Sequence, residues 1–78
     1  MTAYLARITV RDSLDDDERR GMGEALGADA ERELADGAIE FCVPGEAPDL
    51  PTASIAARRH AAEILDGFDY EVDVDDMT

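Results

Sequence analysis

From Phe68 to Asp75 the chain alternates without a break, Phe68, Tyr70, Val72 and Val74 being interleaved with Asp69, Glu71, Asp73 and Asp75. Side chains point to opposite faces along a strand, so this stretch reads as a β-strand with one face to bury and one wholly acidic face. Residues 3–11 repeat the pattern, with Tyr4, Ala6, Ile8 and Val10 on one side and Leu5, Arg7, Thr9 and Arg11 on the other. Residues 38–43 do the same, with Ile39, Phe41 and Val43 against Glu40 and Cys42. Pro44-Gly45 reads as the stop of that strand and residues 45–51 as a loop. Strands of this kind leave one side of their sheet in water, which forces any helices onto the other side.

Two segments carry helical signals. Ser13-Leu14-Asp15-Asp16 looks like a helix start, with Ser13 as the cap and acids in the first turn. Leu14, Met22, Ala25, Leu26 and Leu34 supply its apolar stripe, while Gly21, Gly23 and Gly27 weaken it. A break is expected near Gly27, then a second helical piece over 29–36 closed by Gly37. Residues 52–66 read two ways. As one helix, they place Ala53, Ala56, Ala57, His60, Ala61, Ile64 and Leu65 on a single face. Alternatively, 52–57 is a short strand and only 59–66 is helical.

The first reading makes a three-stranded β-α-β-α-β chain. The second makes β-α-β-β-α-β, a ferredoxin-like two-layer α+β sandwich with both helices on one sheet face. A three-stranded parallel sheet keeps its helices on one side only in the order 1-2-3, because crossovers are right-handed. The ferredoxin-like arrangement does so naturally and is the expected fold.

With 78 residues the chain is expected to form a single domain, residues 1–78, with no internal repeat, low-complexity tract or linker. Thirteen residues are alanine, so the core is thin and its net stability is expected to be a few kcal/mol. A homodimer or a bound partner would be a natural supplement.

Twenty acids face seven bases, all arginine, for a net charge of −13. Phosphates repel such a chain, which argues against direct nucleic-acid or anionic-membrane binding and favours a basic partner or a salty solvent. Cys42 is the only cysteine and permits no internal disulfide, as suits a reducing cytoplasm. No stretch approaches the ~20 apolar residues of a membrane span, so the expected location is cytoplasmic.

The residues that could carry function are acidic. Asp69, Glu71, Asp73 and Asp75 form a regular carboxylate row with about 7 Å between neighbours, and the adjacent Asp76 is expected to join them in binding a partner. Arg7 and Arg11 would neutralise two of them if the first and last strands are neighbours. Left free, the row can imitate a phosphate backbone and steer a basic partner. Asp15, Asp16, Asp17 and Glu18, preceded by Asp12, form a second patch that exceeds what helix capping requires.

Other chemistry fits poorly. Asp69-x-Glu71-x-Asp73 echoes the start of a calcium-binding loop, but Val74 stands where that loop needs glycine, and a strand cannot wrap an ion. One cysteine and one histidine do not make a zinc site. Cys42 and His60 are expected on opposite sides of the sheet, too far apart for a nucleophile and its base. Gly21-x-Gly23 lies inside a helical pattern and lacks the rest of a dinucleotide fingerprint. Arg58-Arg59-His60 is a small basic island, expected to pair with Glu63 or with the acidic strand.

The expectation is a non-enzymatic protein without cofactor or metal. Its acidic surface would dock on a basic, nucleic-acid-binding protein, as DNA mimics and phage-type inhibitors of defence nucleases do. Two alternatives stand beside it. The acidity would be environmental in a salt-adapted or GC-rich source, or the chain would be a dimeric α+β barrel with a pocket between sheets.

Overall fold

The computed structural model describes residues 1–77. Its elements are β1 (Thr2–Val10), α1 (Asp16–Leu26), β2 (Ala30–Glu33), β3 (Ile39–Ala47), α2 (Leu50–Ile64) and β4 (Tyr70–Asp76). The four strands form one antiparallel sheet in the order β2-β3-β1-β4. With its two helices this is the ferredoxin-like α+β sandwich.

One face of the sheet is dry. Ala6, Ile8 and Val10 of β1, Ile39 and Phe41 of β3 and Val72 of β4 pack with Met22 and Leu26 of α1, Ala57 and Ala61 of α2, and Leu65 just beyond it. Both helices therefore cover the same face. They touch each other where His60 Nε2 lies 2.9 Å from the Leu26 carbonyl oxygen. The small alanines at 53, 57 and 61 let α2 sit close to the sheet, and all three are buried. No helix among the described residues is long and apolar enough to cross a membrane.

The element order is the expected one, but two segments differ from the sequence reading. Residues 29–36 are not helical. α1 stops at Leu26, where Gly27 takes a left-handed cap at φ 76°. The chain then pairs with β3, beginning with the Asp29 amide on the Cys42 carbonyl at 2.8 Å. Ala30-Glu31-Arg32-Glu33 has the composition of a helix, and strand pairing overrides that propensity. Gly37 closes a hairpin turn rather than a helix, with φ 87° and its amide on the Leu34 carbonyl at 3.0 Å. Leu34 accordingly belongs to this turn and not to the stripe of α1.

Residues 52–57 are not a strand. They belong to one continuous helix, because Asp49 caps it by accepting the Thr52 amide at 2.8 Å and Pro51 sits in the first turn. The fourth strand of the sandwich is thus β2, not 52–57.

β3 also runs past Pro44-Gly45 to Ala47. Alternate β1 residues point their amides towards β3, and in that register Pro44 turns its nitrogen away from β1, to the side where β2 has already ended. A proline costs no ladder hydrogen bond there. Gly45 is needed for a separate reason. A Cβ at this position would lie 2.5 Å from Tyr4 Cζ, so the Tyr4 ring occupies the space a side chain would take.

Candidate interaction surface

The acidic strand lies at the edge of the sheet. β4 pairs with β1 in the register Leu5↔Asp75, Arg7↔Asp73 and Thr9↔Glu71. Its apolar residues Tyr70, Val72 and Val74 turn to the core, and Glu71, Asp73 and Asp75 turn to the open face. Asp69 precedes the strand; its carbonyl accepts the Arg11 amide at 2.9 Å.

Two of these acids are engaged by arginines from β1. Arg7 pairs with Asp75. Arg11 reaches Glu71 Oε2 at 3.1 Å with one amino group and Asp36 Oδ2 at 3.0 Å with the other, joining β4 to the β2–β3 turn across the end of β1. The Glu71 hydrogen bond and charge raise the Arg11 pKa above its already high value. Asp36 accepts the Ala38 amide at 3.0 Å, and this bond, followed by Arg11, lowers its carboxyl below the ordinary value. Arg7 and Asp75 are 39% and 52% exposed, so such pairs contribute little to stability, on the order of 1 kcal/mol or less each. Asp73 and Asp69 make no ion pair among the described residues.

The second acidic stretch has a more divided role. Asp15, not Ser13, is the N-cap of α1: its Oδ1 accepts the Glu18 amide at 2.8 Å, and Glu18 Oε1 accepts the Asp15 amide at 3.2 Å. This reciprocal box uses both carboxylates as ordinary capping groups. Asp12 is also occupied, since its Oδ2 accepts the Asp69 amide at 2.9 Å. That bond spans 57 residues of sequence and ties the approach to α1 to the approach to β4. Nothing in the local pattern signals it. Asp16 and Asp17 are exposed and serve no cap.

The two acidic stretches therefore meet at one end of the sandwich. From there the β4 row runs roughly 20 Å along the edge to Asp75. Asp76, the last residue of β4 and exposed to solvent, does not continue it: it stands opposite Tyr4, on the face of Tyr70, Val72 and Val74.

The rest of the open face is mixed. Arg32 Nε donates to Glu40 Oε1 at 2.9 Å, while Leu5, Cys42 and Pro44 give a small apolar centre beside Arg7 that the alternation understates. On the helix side, Arg19 lies 3.3 Å from Glu31 and 3.9 Å from Glu33, which turns β2's acids towards α1.

The basic island behaves differently from expectation. Arg58 Nε donates to Ser54 Oγ at 3.2 Å, and neither Arg58 nor Arg59 forms an ion pair among the described residues. His60 faces α1, and Cys42 lies on the far side of the sheet from it.

No family model, curated protein or solved structure matches this chain.

Among the described residues there is no ligand-sized cavity and no group of three His, Cys, Asp or Glu side chains that could hold a metal ion. What the surface offers is an edge: a strand with its acids on one face, continuous with an acidic helix start.

Proposed function

We propose that this chain is a non-enzymatic interaction protein that docks its acidic edge on a basic surface of a nucleic-acid-binding protein. The observation that carries this reading is the convergence of the two acidic stretches through the Asp12–Asp69 bond. It brings segments far apart in sequence to the same end of the sandwich. The row repeats at about 7 Å, but Glu71 and Asp75 are paired with arginines, so its acids without an ion pair among the described residues, Asp69 and Asp73, stand about 14 Å apart, and a groove built for a phosphate backbone would compete with Arg7 and Arg11 for the other two. An inhibitor that occupies such a groove, including one directed at a nuclease, is the sharpest form of the reading.

The test uses a basic DNA-binding protein, linker histone, titrated against the immobilised chain. Asp16, Asp17, Asp69, Glu71, Asp73 and Asp75 are neutralised to Asn or Gln in one variant, leaving the Asp15–Glu18 box intact. A control neutralises six acids elsewhere: Glu24, Asp29, Glu31, Glu33, Glu46 and Glu63. Binding is expected to weaken strongly in the first variant and little in the control, to fall with added KCl, and to be displaced by duplex DNA. Equal effects of the two variants would show that total charge, not this edge, drives the contact.

A further inference from the structure

β4 presents more than charge. Its hydrogen-bonded pairs with β1 are fixed by the Arg11 amide on the Asp69 carbonyl and the Met77 amide on the Ala3 carbonyl, both at 2.9 Å. In that register Glu71, Asp73 and Asp75 direct their amides and carbonyls to β1. Tyr70, Val72 and Val74 direct theirs outwards, along the free edge of the sheet. We propose that this edge receives an extended strand from the basic partner, added antiparallel to β4 with its basic residues opposite Glu71, Asp73 and Asp75 and apolar residues opposite Tyr70, Val72 and Val74. The proposal rests on the acidic-docking reading above and gives the partner segment its chemistry.

Three observations choose this occupant. First, β1 already shows the complement. On β4's inner side it alternates Arg7 and Arg11 on the open face with Ala6, Ile8 and Val10 on the core face, and its arginines pair with Asp75 and Glu71. Second, pairs on the free edge change type. Opposite an added strand the three acids fall in non-hydrogen-bonded positions, where facing side chains are closer, about 4.5 Å between Cα atoms rather than 5.5 Å. A basic side chain therefore meets Asp73, which has no ion pair among the described residues, at shorter range than Arg7 does from β1. Third, the obvious competitor is repelled. A second copy's β4 would set Glu71, Asp73 and Asp75 against the same acids.

The same acids would keep the edge from pairing with other copies of the chain. The experiment separates that protective role from recognition. The probes are two seven-residue peptides of identical composition, blocked at both ends: Thr-Arg-Val-Arg-Val-Arg-Thr and its isomer Thr-Arg-Arg-Arg-Val-Val-Thr. Binding is read by anisotropy and by amide exchange on the full chain, with Val74→Pro as the variant. Proline at 74 removes one outward amide, keeps every acid and loses no bond to β1.

The alternating peptide is expected to bind about tenfold tighter than its isomer, and Val74→Pro to remove most of that advantage, the worth of roughly one hydrogen bond with its desolvated partner. Amides of Tyr70, Val72 and Val74 gain protection on binding, while those of Glu71, Asp73 and Asp75 change little. Equal binding of the two peptides, with no new protection at 70, 72 and 74, overturns the strand and leaves the acidic edge as a plain electrostatic surface. Failure of both peptides and of the basic protein to bind overturns the docking reading together with the strand. If Val74→Pro does not fold, the exchange pattern of the unaltered chain decides.

Discussion

Two glycine-to-alanine substitutions should move stability in opposite directions. Gly21 lies inside α1, and a Cβ built there meets nothing within 4 Å. Alanine adds no clash and removes the conformational freedom that glycine keeps when unfolded, so Gly21→Ala should stabilise by about 1 kcal/mol. For a domain of this size that corresponds to a rise of roughly 4–8 °C in Tm. Gly45 lies in β3, where the Cβ would sit 2.5 Å from Tyr4 Cζ and 2.9 Å from Tyr4 Cε2. The ring would have to leave its place over β3, and Gly45→Ala should cost about 1–3 kcal/mol as overpacking does. Tyr4→Ala removes the obstacle, so alanine at 45 should cost much less in that background than in the parent. Thermal and urea melts followed by circular dichroism measure the parent, the three single variants and the Tyr4→Ala/Gly45→Ala double variant. A Gly21→Ala chain that melts lower than the parent would refute the helix over 16–26. Equal cost of Gly45→Ala with and without the Tyr4 ring would refute the packing of Tyr4 on Gly45.

Three further outcomes are expected. Raising KCl from about 0.1 M to 1 M shortens the screening length from about 10 Å to 3 Å, below the spacing of neighbouring carboxylates on β4, so Tm should rise; a melt unchanged by salt would count against self-repulsion as a significant term and against a salt-adapted origin. Asp36 and Asp49 have folded pKa values below the ordinary 3.8, so the stability they supply is complete above that value and is lost as pH falls through the lower folded values. Acid unfolding followed by fluorescence of the tyrosines should accordingly lose part of its steepness in Asp36→Asn and Asp49→Asn. Asp15→Ala breaks the capping box of α1 and should cost about 1 kcal/mol in urea melts, whereas Ser13→Ala, which removes no cap, should be nearly neutral.

The strand pattern made the architecture readable. Three runs with period two and one polar face demand a one-sided sheet, and the sandwich follows. Pairing, however, is a property of distant segments. Ala30-Glu31-Arg32-Glu33 is four exposed residues of helical composition, and it becomes β2 only because β3 offers an edge. Gly37 misled for a related reason: a positive φ closes a helix or a hairpin equally well, and the residue alone does not say which. At 52–57 the helical period of the alanines was the better guide, and the cap that settles it, Asp49 three residues before Thr52, stood in the stretch read as loop. At the surface, the acidic row and its partial neutralisation by Arg7 and Arg11 were legible from alternation. The choice of partners was not. Arg11 divides itself between Glu71 and Asp36, and Asp12 is taken by the Asp69 backbone.

These assignments bear on whether the acidity is environmental. Adaptation to salt adds carboxylates wherever surface is exposed, because the benefit is hydration of the whole molecule. Residues 50–62 include most of α2's exposed side, and they contain no acid and two arginines without ion pairs among the described residues. The open face of the sheet has the reverse character at β4, with Glu71, Asp73 and Asp75, and on the helix side Asp16 and Asp17 stand at the start of α1. Several other acids already hold the fold in place: Asp15, Glu18 and Asp49 as caps, Asp36 in the hairpin turn, Asp12 on the β4 approach. The surplus left after those roles is shared between β4, the start of α1 and the acids elsewhere, Glu24, Asp29, Glu31, Glu33, Glu46 and Glu63 among them. The acid-free span of α2 is the one clear asymmetry, and the salt dependence of the melt separates an environmental origin of the acidity from the docking surface proposed above.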